Sequence, residues 1–124
     1  MDTETITVTI KQIDTRRTGG LVVFTFVERG FPKQHDAALT TVIVPIDADT
    51  IQLQLMVPSA QRFAIKVLHD ENGDGKVTKN WTGIVPKDGL GFSNGARIRL
   101  SAPSFSDASI MYAEELAPVI HMNY

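Results

Sequence analysis

Residues 62–70 read RFAIKVLHD, a run in which Phe63, Ile65, Val67 and His69 stand at alternate positions with Arg62, Ala64, Lys66 and Leu68 between them. Period-two alternation turns one set of side chains toward a core and the other away from it, so the run reads as a strand that delivers the chain directly into Asp70. His69 falls in register with the core-facing set. Its ring is expected to point inward at the strand's end and bond a loop backbone group there.

Upstream of this strand the same alphabet recurs. Ile6, Val8 and Ile10 alternate with Thr5, Thr7, Thr9 and Lys11 as a first strand, and Leu21 to Val27 (LVVFTFV) follows the turn at Arg16 to Gly20 as a second. A hairpin is the expected pairing of these two. Glu28 to Ala38 carries Gly30 and Pro32 without a period and reads as a connecting loop with room for one turn of helix. Thr40 to Ile46 and Thr50 to Met56 form a third and fourth strand, joined through Asp47, Ala48 and Asp49 as an expected second hairpin, before Pro58 and Ser59 break the pattern.

Downstream lies a stretch of different character, Leu68 to Gly95, LHDENGDGKVTKNWTGIVPKDGLGFSNG, long, polar and dense in glycine. Beyond it Ala96 to Leu100 (ARIRL) reads as a strand, Pro103 to Asp107 as a turn, and Ile110 to Ala113 and Val119 to Tyr124 as closing strands. Nowhere do apolar residues recur at helical spacing over three turns. The expected fold is all-β: one domain over residues 1–124, an antiparallel β-sandwich of about seven or eight strands, immunoglobulin-like or prealbumin-like, with a long polar loop after the fifth strand. A closed barrel is the alternative, because alternation and strand number do not separate the two.

Composition narrows the function classes. A chain of 124 residues, 43% of them hydrophobic, carries enough apolar material for one core. Its formal charge of -2 has no block of one sign, so there is no electrostatic footprint for nucleic acid. No apolar run approaches the roughly 20 residues of a membrane-spanning helix, and membrane insertion is not expected. The absence of cysteine removes disulfides, thiolate catalysis and Cys-ligated zinc. The opening MDTETITV has neither the basic start nor the apolar run of a secretory signal.

The chemical accent falls in the long loop. Asp70, Asn72 and Asp74 alternate ahead of Gly75, the spacing by which a tight turn directs several oxygens at one cation, with the Lys76 carbonyl and Thr78 as further ligands. The cation suited to such a set is calcium. A true EF-hand is excluded, because its twelfth position is Trp81 where a bidentate Glu is needed. What remains open is a looser, weak oxygen cage or a purely structural loop whose Asp and Asn side chains bond their own backbone in Asx-turns.

Gly91-Phe92-Ser93-Asn94-Gly95 matches the Gly-x-Ser-x-Gly nucleophile pattern, with Asp107 and His121 following in hydrolase order. The nucleophile elbow needs a strand before it and a helix after it, whereas a strand-like ARIRL follows here, so a glycine-flexible loop is the favoured reading. His35 and His121 lack zinc spacing and read as surface histidines. Trp81 either stacks on a sugar or covers one end of the core.

One ordered series carries a family resemblance: His69-Asp70-Glu71-Asn72-Gly73-Asp74-Gly75-Lys76, then Asn80 and Gly83, then Gly91-Phe92-Ser93-Asn94, then Pro103-Ser104-Phe105-Ser106-Asp107-Ala108. It resembles the uncharacterised bacterial family catalogued as domain of unknown function two-one-four-one, over roughly the C-terminal half. The chain departs from the family's pattern at Thr78 and Lys79, where an acidic residue is expected. The resemblance implies a small secreted or periplasmic β-sandwich without established activity, whose signal peptide is removed and replaced by Met1. A cytoplasmic placement is the alternative.

The expected function is therefore a non-enzymatic binding module for an unidentified ligand or protein, with calcium as its one candidate cofactor. Its candidate binding loop is Trp81, Phe92, Ser93 and Asn94. The alternatives are a small serine hydrolase using Ser93 and a calcium-assisted carbohydrate-binding module. Asp70 to Lys76 and Leu90 to Asn94 are expected together at one end of the sandwich, as a functional face.

Overall fold

The computed structural model describes residues 2–70, 89–97 and 102–124. Seven strands run through them: β1 (Thr3–Lys11), β2 (Gly20–Phe26), β3 (Thr40–Pro45), β4 (Ile51–Pro58), β5 (Ala64–Asp70), β6 (Leu90–Phe92) and β7 (Val119–His121). They form two sheets, ordered β4-β1-β7 and β3-β2-β5-β6, and the chain is a β-sandwich rather than a barrel. All pairings are antiparallel except β1 with β7.

Alternation explains how the sheets meet. Ile6, Val8 and Ile10 of β1, Leu55 and Val57 of β4, Leu21 and Val23 of β2, and Ile65 and Val67 of β5 interdigitate as one buried core between the sheets. On the outer side of β1, Thr7 and Thr9 face water and accept hydrogen bonds from the Gln54 and Gln52 amides across the strand pair, at 2.9 and 3.3 Å.

Both expected hairpins are wrong. β1 pairs with β4, while β2 pairs with β3 and β5, so the links from β1 to β2 and from β3 to β4 each cross from one sheet to the other. Alternation states which side chains face inward and is silent about which strand lies alongside. The run after Pro103 is a short helix, α1 (Phe105–Ala108), capped where Ser104 Oγ accepts the Asp107 N–H. Ala96 and Arg97 lie outside the strands, and Ile98 to Leu100 lie outside the described residues. Ile110 makes one isolated bridge to Phe63 in place of an expected strand.

Leu90–Phe92, read from sequence as loop, is instead the edge strand β6. Gly91 makes this possible, because a β-carbon there would come within 2.7 Å of Ile120 Cγ2 on the facing sheet. Hydrogen bonds between Leu90 and Asn123, at 2.9 and 2.8 Å, stitch the two sheets together along this side.

Candidate functional site

β5 is buried along its whole length, so its end at Asp70 is a rigid point from which the polar segment departs. The segment returns at the same place. The His69 N–H donates to the Gly89 carbonyl at 2.9 Å, and Leu90 pairs with Leu68, so the two residues that flank 71–88, Asp70 and Gly89, belong to adjacent stretches of one sheet edge.

A polar network made by distant parts of the chain holds this base. His69 is fully buried, its Nε2 lying 3.0 Å from the Thr18 carbonyl and its Nδ1 2.7 Å from the Tyr124 hydroxyl. A carbonyl only accepts, so Nε2 carries hydrogen, and in the neutral ring Nδ1 accepts from Tyr124. The same hydroxyl accepts the Asp14 N–H at 2.9 Å. The Arg17 guanidinium lies 4.6 Å over the Tyr124 ring and bonds Asp14, which also holds Arg16 at 3.0 Å. The Arg16 side chain and backbone N–H, with Arg17, hold the Asp14 carboxyl down at about 2, well below the ordinary range. The inward histidine read from alternation is therefore found, bonded to loop backbone as expected. With both ring nitrogens engaged it orients the base of the segment.

Of the proposed oxygen ligands, Asp70 is described and is buried, 3% exposed, as the last residue of β5. Asn72, Asp74, Lys76 and Thr78, with Trp81, lie outside the described residues. Among the described residues no group of His, Asp and Glu converges in a way that could hold a metal ion.

The remaining candidates are not gathered at this end. β6 runs antiparallel to β5 and carries the chain away from Asp70: Leu90 sits beside Leu68, and Phe92 beside Lys66. Ser93 reaches Ile65, about 16 Å along β5 from Asp70 at ~3.3 Å per residue. The shared end expected for Asp70 and Leu90 to Asn94 thus holds for Leu90 and fails for Asn94, because three residues of strand intervene. Phe92 is buried and packs edge-on to Phe31 at 6.0 Å. The Ser93 hydroxyl, fully buried, accepts the Ile65 N–H at 2.9 Å and donates to the Ala108 carbonyl; it bonds neither Asp107 nor His121. Asn94 is exposed in a left-handed conformation, φ 58°, and donates to the Asp107 carbonyl at 3.0 Å. His121 is exposed on β7 in the other sheet. Ser93 ties β5 to α1.

One constellation escaped the sequence. Lys66, alternating with core residues, is 3% exposed on the outer side of its sheet, between its cross-strand neighbours Phe24 and Phe92. Its ammonium donates to the Pro32 carbonyl at 2.8 Å and lies 2.9 Å from His35 Nε2. His35, expected as an ordinary surface residue, stacks on Phe24 at 4.1 Å. The readable signal was the pair Phe24 and Phe26 on one side of β2 with Phe31 close behind, apolar material in search of a second covered face.

A family model described as an uncharacterised protein conserved in bacteria matches residues 8–119, nearly the whole chain. No curated protein and no solved structure matches.

Proposed function

We propose, from the premise that the chain belongs to the uncharacterised bacterial family domain of unknown function 2141, that it is a non-enzymatic secreted or periplasmic β-sandwich module presenting residues 71–88 for binding. The observation that carries this reading is the clamp at the segment's base: an entry at Asp70 and an exit at Gly89 held side by side by the His69-to-Gly89 hydrogen bond. Binding groups on a loop work best when a rigid scaffold fixes both its ends. The Ser93 hydroxyl, committed to Ile65 and Ala108, lends the hydrolase alternative no support.

Asp70 at the segment's entry and, within it, Asn72, Asp74, the Lys76 carbonyl and Thr78 are the oxygen ligands for calcium in this reading. Two carboxylates with Lys76 and Lys79 nearby place the affinity at about 10⁻⁴ to 10⁻³ M, the range of extracellular modules. A cation bound only by the folded chain stabilises it by linkage, by about 1.4 kcal/mol at a concentration about ten times Kd. Thermal unfolding with and without calcium tests this, with Asp74→Ala as the informative variant because Asp70 is part of the buried strand. A calcium-dependent rise in Tm that Asp74→Ala abolishes is expected. No heat of binding and no Tm shift at millimolar calcium would remove the metal from the proposal.

A further inference from the structure

The two sides of the sandwich differ. On one side the edges β6 and β7 are only three residues long and are bridged by Leu90 and Asn123. On the other the edges β3 and β4 are six and eight residues long and, among the described residues, no further strand pairs with either. Natural proteins blunt a long edge with charged side chains, because unpaired backbone N–H and C=O groups otherwise recruit another strand. In a chain with 12 basic and 14 acidic residues, β3 reads TTVIVP and carries none.

β3 also leaves apolar surface uncovered. Ile43 is 77% exposed, more than any other large apolar residue described, and Val42 and Val44 on its opposite face are only partly buried against the core. The sequence Val42-Ile43-Val44 is symmetric about Ile43. A two-fold axis through Ile43 sets Ile43 opposite its own copy and Val42 opposite Val44 of that copy, with β-branched side chains at every contact and no like charges opposed. Pro45, with no N–H to donate, closes the pairing at its far end. The valines then continue the core between the sheets, while the two isoleucines cover one another outside. β4 is the weaker edge for this purpose, because its outward Gln52 and Gln54 are already bonded to Thr9 and Thr7.

We propose that β3 pairs antiparallel with β3 of a second copy of this chain, joining two four-stranded sheets into one continuous sheet across a two-fold axis at Ile43. The occupant is a second copy because the edge is complementary to itself.

The chain contains no cysteine, so single cysteines report the geometry without background. Sedimentation equilibrium of the native chain is expected to show a monomer–dimer equilibrium. Ile43→Lys places two ammonium groups face to face and is expected to weaken the dimer about tenfold or more, with partial recovery at high salt. Under mild oxidation Ile43→Cys is expected to form a covalent dimer, since directly opposed β-carbons in an antiparallel pair lie within disulfide reach, and Met56→Cys on β4 is expected not to. A native chain that remains monomeric at all accessible concentrations overturns the proposal. So does a dimer that survives Ile43→Lys and cross-links through Met56→Cys.

Discussion

β1 and β5 carry nearly the same alternating pattern, yet their second faces meet opposite surroundings. Behind the core-facing residues of β1 stand Thr5, Thr7 and Thr9, which look into water, Thr7 and Thr9 accepting from glutamines of the neighbouring strand. Behind those of β5 stand Ala64, Lys66 and Leu68, every one buried. The difference lies in what covers them. Phe31 from the β2–β3 connection and Phe105 from α1 close over Phe24, Phe26 and Phe92, building a second core on the outside of this sheet. A polar residue in an alternating strand thus reports the opposite face without saying whether that face is wet.

The comparison breaks most visibly at its aromatic centre. Phe24→Ala, which empties a site 2% exposed, is expected to cost about 3–5 kcal/mol in urea unfolding, while Thr7→Ala on the outer face of β1 costs under about 1 kcal/mol. Equal losses would mean that the outer face of the β5 sheet is no true core.

Lys66 sharpens the question of what that core contains. Lys66→Met keeps most of the side-chain volume and removes the donor to the Pro32 carbonyl, so a loss of about 1–3 kcal/mol is expected, whereas Lys66→Ala adds a cavity and costs more. Equilibrium unfolding of the two variants separates hydrogen bonding from packing. If Lys66→Met is as stable as the native chain, the amine contributes nothing net there.

The smallest effect belongs to the exposed network beyond β1. Asp14 is held down at about 2 by Arg16, so its charged form is favoured in the folded state. A depressed folded value contributes stability above the ordinary carboxylate range and loses it as pH falls toward 2. Asp14→Asn is therefore expected to be slightly less stable than the native chain at neutral pH, with the gap closing between about pH 4 and pH 2. Urea midpoints across that window check the sign. A gap that widens toward acid would contradict it.

Much of the strand content was legible because period-two alternation survives in β1, β4 and β5, and because the β-branched and aromatic run of β2 admits little else. His69 was legible for the same reason. β6 was not, since three residues around a glycine carry no period; its strand character comes from its ladder with Lys66 to Leu68 of β5, reinforced by the Leu90–Asn123 bridge, all of them distant in sequence. Ser93 and Asn94 sit in a motif that sequence reading weighs as chemistry. In the fold one is a buried tie to Ile65 and Ala108, and the other a turn residue bonded to Asp107.

By itself the sequence determined an all-β chain, the inward set of most strands, the family to which the chain belongs, and the oxygen-rich spacing that begins at Asp70, because each is written in neighbouring residues or in short ordered motifs. Only the tertiary structure decided that β1 and β2, like β3 and β4, lie in different sheets, that Lys66 is buried, that Ser93 and Asp70 stand at opposite ends of β5, and that β3 is an edge strand among the described residues. These depend on which distant segments come to lie side by side, and side-chain periodicity encodes the face of a strand but not its neighbour.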